Sequence, residues 1–224
     1  MSLDHVALWT SDRDALGRVL TECCGMHEIE RTDAFTLVGG DAREGKLTLF
    51  EADGPRDRGV LERIVLRVPA VDDVRQRLES AGHTIENGGL ELRLEAPAGV
   101  PLGVVESAAA SVPDLDHVVL RVPDPEATAT ALAELGLERH GEHLRVADRE
   151  VELRQGDARE GESPLLNHLA LLVDESDAVE REARARGLEI DDVVDAPNTR
   201  AVFLRGPDRI RLEYVEHKPG FSLT

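Results

Sequence analysis

Leu3-Asp4-His5-Val6-Ala7-Leu8 returns half a chain length later as Leu115-Asp116-His117-Val118-Val119-Leu120. Two weaker copies, Leu61-Glu62-Arg63-Ile64-Val65-Leu66 and Leu166-Asn167-His168-Leu169-Ala170-Leu171, lie between and after them. A repeat of this kind is the first thing to settle, because each copy of a repeated unit folds alike. Starts at positions 3, 61, 115 and 166 divide the 224 residues into four units of about fifty each. Every start is a short leucine and β-branched run bounded by turn residues, the pattern of a buried strand.

A helical stretch follows each start. The first is expected to be capped by Ser11 and to bury Leu16, Val19 and Leu20 before Gly25. The second carries Val71, Val74 and Leu78 at helical spacing, and the third has Pro125 in its first turn and stops at Gly136. The fourth stops at Gly187. Short strand patterns come next, such as Leu144 to Val146, Val151 to Leu153, Ala201 to Leu204 and Ile210 to Val215, so each unit reads β-α-β-β-β. Gly39-Gly40 and Gly88-Gly89 read as hairpin turns. The small, polar segment Ser107 to Pro113 is the expected linker between halves.

Aligning the units singles out the third residue of each start: His5, Arg63, His117 and His168. In the last strand of each unit the matching residues are Thr48, Gly103, Glu152 and Glu213. The second half therefore carries His117, Glu152, His168 and Glu213, and the first half only His5, which reads as structural. Two imidazoles with one or two carboxylates suit a catalytic divalent ion, with Zn²⁺, Fe²⁺, Mn²⁺, Co²⁺ and Ni²⁺ all compatible. Strand alternation would place His117 on one face with Leu115 and Val119, able to point into a concave sheet. Tyr214 reads as packing, His140 and His143 as loop histidines, and the tail bearing His217, Lys218 and Phe221 as a frayed end.

These motifs, with the ending Gly206-Pro207-Asp208-Arg209-Ile210-Arg211-Leu212-Glu213-Tyr214, resemble the vicinal oxygen chelate superfamily of glyoxalase I, extradiol ring-cleaving dioxygenases and bleomycin-resistance proteins. The resemblance spans Leu3 to Val215. It implies an α+β fold of four βαβββ modules pairing into two similar domains with concave mixed sheets. Residues 1–108 are expected to form the first pair, with a degenerate site, and 114–224 the second, with the metal site. It implies that His117, His168 and Glu213 hold one divalent ion, Fe²⁺ being favoured. Glu152 falls on the fourth ligand of glyoxalase-like members.

Three chemistries follow from that resemblance. The four-module architecture favours ring-cleaving oxidation of a small substrate with adjacent oxygens. Against it, Glu150 and Val151 stand where a catalytic histidine is expected, and Phe203 where a tyrosine is usual. The ligand set favours a glyoxalase-like isomerase or lyase, in which Glu152 or Glu213 would be both ligand and base. The third is metal-free ligand binding of the bleomycin-resistance type.

Composition narrows the partners. Asp plus Glu number 45 against 26 Lys plus Arg, a net charge of −19, which disfavours nucleic acid and anionic membrane and leaves a small molecule as the expected partner. No apolar run approaches a membrane span and no leader pattern is visible, and Cys23 and Cys24 are adjacent, so a reducing cytoplasm is expected. Only Lys46 and Lys218 are lysines, a balance resembling that of cytoplasmic proteins from salt-accumulating microbes. A homodimer is compatible with all of this.

Overall fold

The computed structural model describes residues 1–40, 44–141, 143–157 and 163–221. Module one comprises β1 (Ser2–Thr10), α1 (Arg13–Arg18, continued by a π-helical turn over Val19–Cys23), β2 (His27–Arg31), β3 (Phe35–Gly39) and β4 (Lys46–Glu51). Module two comprises β5 (Leu61–Val68), α2 (Val71–Ser80), β6 (Glu86–Gly88), β7 (Glu91–Ala96) and β8 (Val100–Glu106). Module three comprises β9 (Asp114–Val122), α3 (Pro125–Glu134), β10 (Glu138–His140), β11 (His143–Val146) and β12 (Arg149–Gln155). Module four comprises β13 (Leu166–Leu172), α4 (Ser176–Arg186), β14 (Ile190–Asp195), β15 (Thr199–Arg205) and β16 (Arg211–His217). The four βαβββ units are therefore present in an α+β fold. Segment 107–113 carries no strand and joins β8 to β9.

Local sequence explains the helices. In α2, Val74 and Leu78 are buried one turn apart, while Asp72 and Asp73 occupy the first turn, where carboxylates favour the helix dipole. Asp124 caps α3 through the Ala127 N–H at 3.0 Å, with Pro125 at the first helical position. In α1 the capping oxygen belongs to Asp12, which accepts from Ala15 N–H at 2.9 Å, rather than to Ser11, because the helix begins one residue later than expected. Gly187 closes α4 in the left-handed conformation (φ +67°) that a glycine adopts without strain.

The pairing of modules differs from the expectation. One eight-stranded sheet runs β14-β15-β16-β13-β1-β4-β3-β2, and the other runs β10-β11-β12-β9-β5-β8-β7-β6. Module one thus joins module four through antiparallel β1 and β13, and module two joins module three through β5 and β9. Residues 1–108 and 114–224 are not the paired units. Each starting strand leaves one edge open inside its own module, and any other starting strand satisfies that edge equally well in hydrogen bonding. The repeat alone cannot tell the nested pairing from the sequential one.

Each sheet has a core face and a cleft face. Leu3, Val6 and Leu8 of β1 and their counterparts Leu115, Val118 and Leu120 of β9 belong to one continuous core shared by both sheets, which also takes in Leu16, Leu20, Leu78 and Leu132 from the helices. Burying side chains of this size contributes roughly 1.5–3 kcal/mol each. Buried Arg149 ties the sheets together, donating to the Leu115 carbonyl at 3.0 Å and to Asp114 at 2.7 Å, with Glu44 of module one 3.3 Å away. Tyr214 packs in this core as expected, its hydroxyl donating to the Leu135 carbonyl at 2.6 Å. Among the described residues no helix is long and apolar enough to cross a membrane.

Candidate metal centre

A strand normally sends successive side chains to opposite faces, and the starting strands break that rule at one point. In β1 the pairing register with β13 slips between Leu3 and His5, so Asp4 is an extra, bulged residue. The bulge keeps Leu3 and Val6 in the core and turns both Asp4 and His5 toward the cleft. The β13 partner slips in the same way at Asn167, before His168. The β5–β9 pair slips at Glu62 and at Asp116. The second residue of every copy of the repeat is therefore bulged. This corrects the expected alternation: Leu115 lies in the core while His117 faces the second cleft with Val119.

In the first sheet the bulges bring His5, His168 and Glu213 together. Nε2 of His5 and Nε2 of His168 are 3.1 Å apart, and Glu213 Oε2 lies 2.8 Å from His168 Nε2 and 3.3 Å from His5 Nε2. Two donors each about 2.1 Å from an ion and at right angles to one another stand about 3 Å apart, so this triangle has the dimensions of one face of a coordination sphere. The donor set is right for Fe²⁺, Zn²⁺, Mn²⁺, Co²⁺ or Ni²⁺. The fourth position of the repeat, opposite Ala7 on β4, is Thr48, which adds no charged ligand.

Both imidazoles are oriented from behind. Asp4 Oδ2 lies 2.7 Å from His5 Nδ1, and Asn167 Oδ1 lies 3.1 Å from His168 Nδ1, leaving each Nε2 turned to the triangle. Asp4 is itself held by the buried Lys46 ammonium at 2.9 Å and by His217 Nε2 at 3.3 Å. His217 stacks on Phe221, with ring centroids 3.7 Å apart, so this part of the tail is fastened to the site rather than frayed.

Electrostatics follow from burial and pairing. Burial raises the Glu213 carboxyl, but its bonds to His168 and His5 outweigh that and hold it down at about 2. Burial lowers His5, yet Asp4 and Glu213 together lift it to about 9. His168 is lowered, chiefly by burial, and so tends to the neutral form that ligates metal. Asp4, despite its burial, is driven well below the usual carboxylate range by His217, His5 and Lys46.

The cleft wall is largely aromatic, with the Arg211 guanidinium 4.0 Å from the Phe203 ring and that of Arg56 5.5 Å from the Trp9 ring. The chain has one Trp, one Tyr and four Phe, and five of these six surround or adjoin this site. Phe203 pairs directly with Glu213 across the strands and meets the His168 ring edge-on at 5.2 Å. Phe50 lies 6.4 Å from His168 and 5.3 Å from Trp9, and Phe35 is 5.9 Å from Phe50. Phe221 covers His217. Buried Ala170, Ala201 and Val215 pack with Phe203 in a small cluster on this face.

The expected set His117, Glu152, His168 and Glu213 does not converge. His168 and Glu213 meet each other and His5, whereas His117 and Glu152 lie in the other sheet. There His117 bonds Asp116 at 2.6 Å and Glu152 accepts from Arg154 at 2.7 Å. The equivalences themselves hold: Thr48, Gly103, Glu152 and Glu213 each pair with the residue two beyond the key position of their own starting strand. His140 is exposed, and His143 is half-buried opposite Glu152. His5, read as structural, is the residue that sequence reasoning missed. Its signal was the completeness of the Leu3-Asp4-His5 motif, which matches the copy in β9 letter for letter.

No family model matches the sequence, and a search of curated proteins finds no match. Among solved structures, the chain is similar to a candidate dioxygenase from Bacillus subtilis subsp. subtilis str. 168, at 19% identity over 99% of this chain and 86% of that one, with a TM-score of 0.80. It is similar to glyoxalase I from Zea mays at 19% identity over 96% and 92%, with a TM-score of 0.76. The cppA protein from Streptococcus pneumoniae TIGR4 gives 14% identity over 96% and 98%, with a TM-score of 0.67. At these identities the likeness is one of fold.

Proposed function

We propose, from the vicinal oxygen chelate fold that this chain has, that it is a mononuclear Fe²⁺ enzyme opening a small aromatic ring that carries two adjacent oxygens. The observation that carries the reading is the three-donor face of His5, His168 and Glu213 with Thr48 at the fourth repeat position. Two histidines and one carboxylate on one face leave enough open positions for a bidentate substrate and O₂, the arrangement associated with non-haem Fe²⁺ oxygenases. A glyoxalase-like set would need a fourth ligand, and Glu152, its candidate, lies in the other sheet.

A divalent ion in the triangle supplies Lewis-acid binding of two neighbouring oxygens and, as Fe²⁺, the electrons for oxygen chemistry. The chain's own residues do the rest. Asp4 and Asn167 fix the imidazole planes and keep Nε2 of each ring free to ligate. Phe50, Phe203 and the small residues beneath them keep water away and lower the local dielectric, which strengthens each charge interaction in the cleft. Trp9, Phe35 and Phe50 offer ring faces and edges to a planar substrate. Because the site draws on module one, the strand that would carry an acid–base histidine is β4, where Lys46 is already engaged with Asp4.

Protein reconstituted anaerobically with Fe²⁺ is expected to consume O₂ when mixed with catechols and to yield ring-opened products seen by absorbance and mass. Fe²⁺-loaded protein that takes up no O₂ with any catechol, yet isomerises a hemithioacetal, would overturn this reading in favour of the glyoxalase-like one.

A further inference from the structure

The second cleft has the positions of the first but different chemistry. Arg63 stands where His5 stands, His117 where His168 stands, Gly103 where Thr48 stands and Glu152 where Glu213 stands. The Arg63 side chain is 9% exposed and its Nε is ion-paired with Glu91. That pair fills the space a metal would need: a Cβ on Gly103 would sit 2.0 Å from Glu91 Oε1 and 3.1 Å from Arg63 Cδ. Gly88 makes similar room for Arg93, whose Nε would lie 2.5 Å from a Cβ there. Two glycines thus clear the floor of this cleft for guanidinium groups.

Those groups are not fully satisfied. A cavity of about 300 Å³ opens beside them, and its charged lining is Arg58, Arg63, Arg93 and Arg121 against Glu62, Glu86 and Glu95. Glu62 already serves both Arg121, at 2.6 Å, and Arg154, at 3.0 Å. Glu91 serves both Arg63 and Arg93. Among the described residues the terminal nitrogens of Arg63 have no hydrogen-bond acceptor, and Glu62 Oε1 stands 4.0 Å from Nη1. Burial and the neighbouring Arg93 and Arg154 charges lower the Arg63 guanidinium, outweighing the help of Glu91. A buried cation with unmet donors and like-charged neighbours is costly unless an anion completes it.

We infer that the second cleft is a binding site for a small oxyanion, a phosphate or a carboxylate, received by the terminal nitrogens of Arg63 together with Arg93 and Arg121. Planar guanidinium forks match the paired oxygens of either group. In this cleft Arg63 and Arg93 share a single carboxylate, Glu91, and the site is independent of the metal in the other cleft.

The test is calorimetric titration with inorganic phosphate and, separately, with malonate, at ionic strength fixed with sodium chloride. The protein is the metal-free His168→Ala variant, so that no ion in the first cleft takes up the probe. One site per chain is expected, with the dissociation constant raised at least tenfold by adding Arg63→Met, which leaves Glu91 its bond to Arg93. Arg121→Gln, at a half-buried position whose side chain is 44% exposed, is expected to weaken binding in the same direction and guards against a folding defect in the first variant. Binding of phosphate alone would identify a phosphate ester site, and of malonate alone a carboxylic acid site. No binding of either probe, or binding that neither arginine substitution changes, would overturn the inference.

Discussion

Asp4 and His5 are neighbours in one strand, yet both side chains point into the same cleft, joined Oδ2 to Nδ1 at 2.7 Å. The bulge at Asp4 makes this possible, and the same bulge recurs in all four starting strands. In the copies that carry histidine, the repeat therefore also places a hydrogen-bonding residue directly behind the imidazole. Asp4→Asn retains an oxygen to face the ring but loses the charge that pairs with Lys46 and His217. It is expected to weaken metal binding by about 10–100-fold with the fold intact, measured by chelator competition and circular dichroism. Asp4→Ala removes a carboxylate that meets the buried Lys46 ammonium at 2.9 Å and is expected to lower stability more than Asp4→Asn does, measured by denaturant unfolding.

The two cleft histidines at repeat-equivalent places behave oppositely. His5→Ala is expected to bring bound metal close to zero, while His117→Ala leaves metal content unchanged, because His117 faces Asp116 in the other sheet. Elemental analysis of both variants after identical reconstitution checks this. Full occupancy in His5→Ala would return His5 to a structural role.

Protons compete with the ion at His5. Its folded value near 9 lies above the ordinary 6.5, so below about 9 the incoming ion displaces a proton. Apparent metal affinity is expected to fall as pH drops, by up to about tenfold per unit, with proton release on binding. The sign for stability is the reverse in metal-free protein: a raised histidine contributes stability that is present below 6.5 and lost as pH rises through about 9. Thermal unfolding between these values is expected to show that decline without metal and not with it.

Thr48 keeps the fourth repeat position free of charge. Thr48→Glu is expected to hold the metal at least as tightly while suppressing O₂ consumption, because the added carboxylate occupies a position needed by substrate or oxygen. Retained oxygen uptake alongside an altered metal spectrum would show that the fourth position is not one the reaction uses.

Much of this was legible in the chain itself. The four starts, the βαβββ order and the match of Thr48, Gly103, Glu152 and Glu213 followed from repeat alignment, because hydrophobic periodicity and turn residues are local signals. His168 and Glu213 were recognisable because they recur on equivalent strands of one module. The partner module was not recognisable. β1, β5, β9 and β13 present the same kind of open edge, so which edge meets which is decided by the packing of the whole chain. That single ambiguity moved the residue that meets His168 and Glu213 from His117 to His5 and left Glu152 in the other sheet. The bulges were hidden for a different reason: alternation assumes an unbroken register, and one extra residue reverses the face of everything before it.

The most direct measurement is an anomalous difference map from crystals of Fe²⁺-loaded protein grown without oxygen. One strong peak per chain is expected, within bonding distance of His5 Nε2, His168 Nε2 and Glu213 Oε2, and none beside His117 and Glu152. A peak in the second cleft, or none in the first at full iron loading, would contradict that expectation.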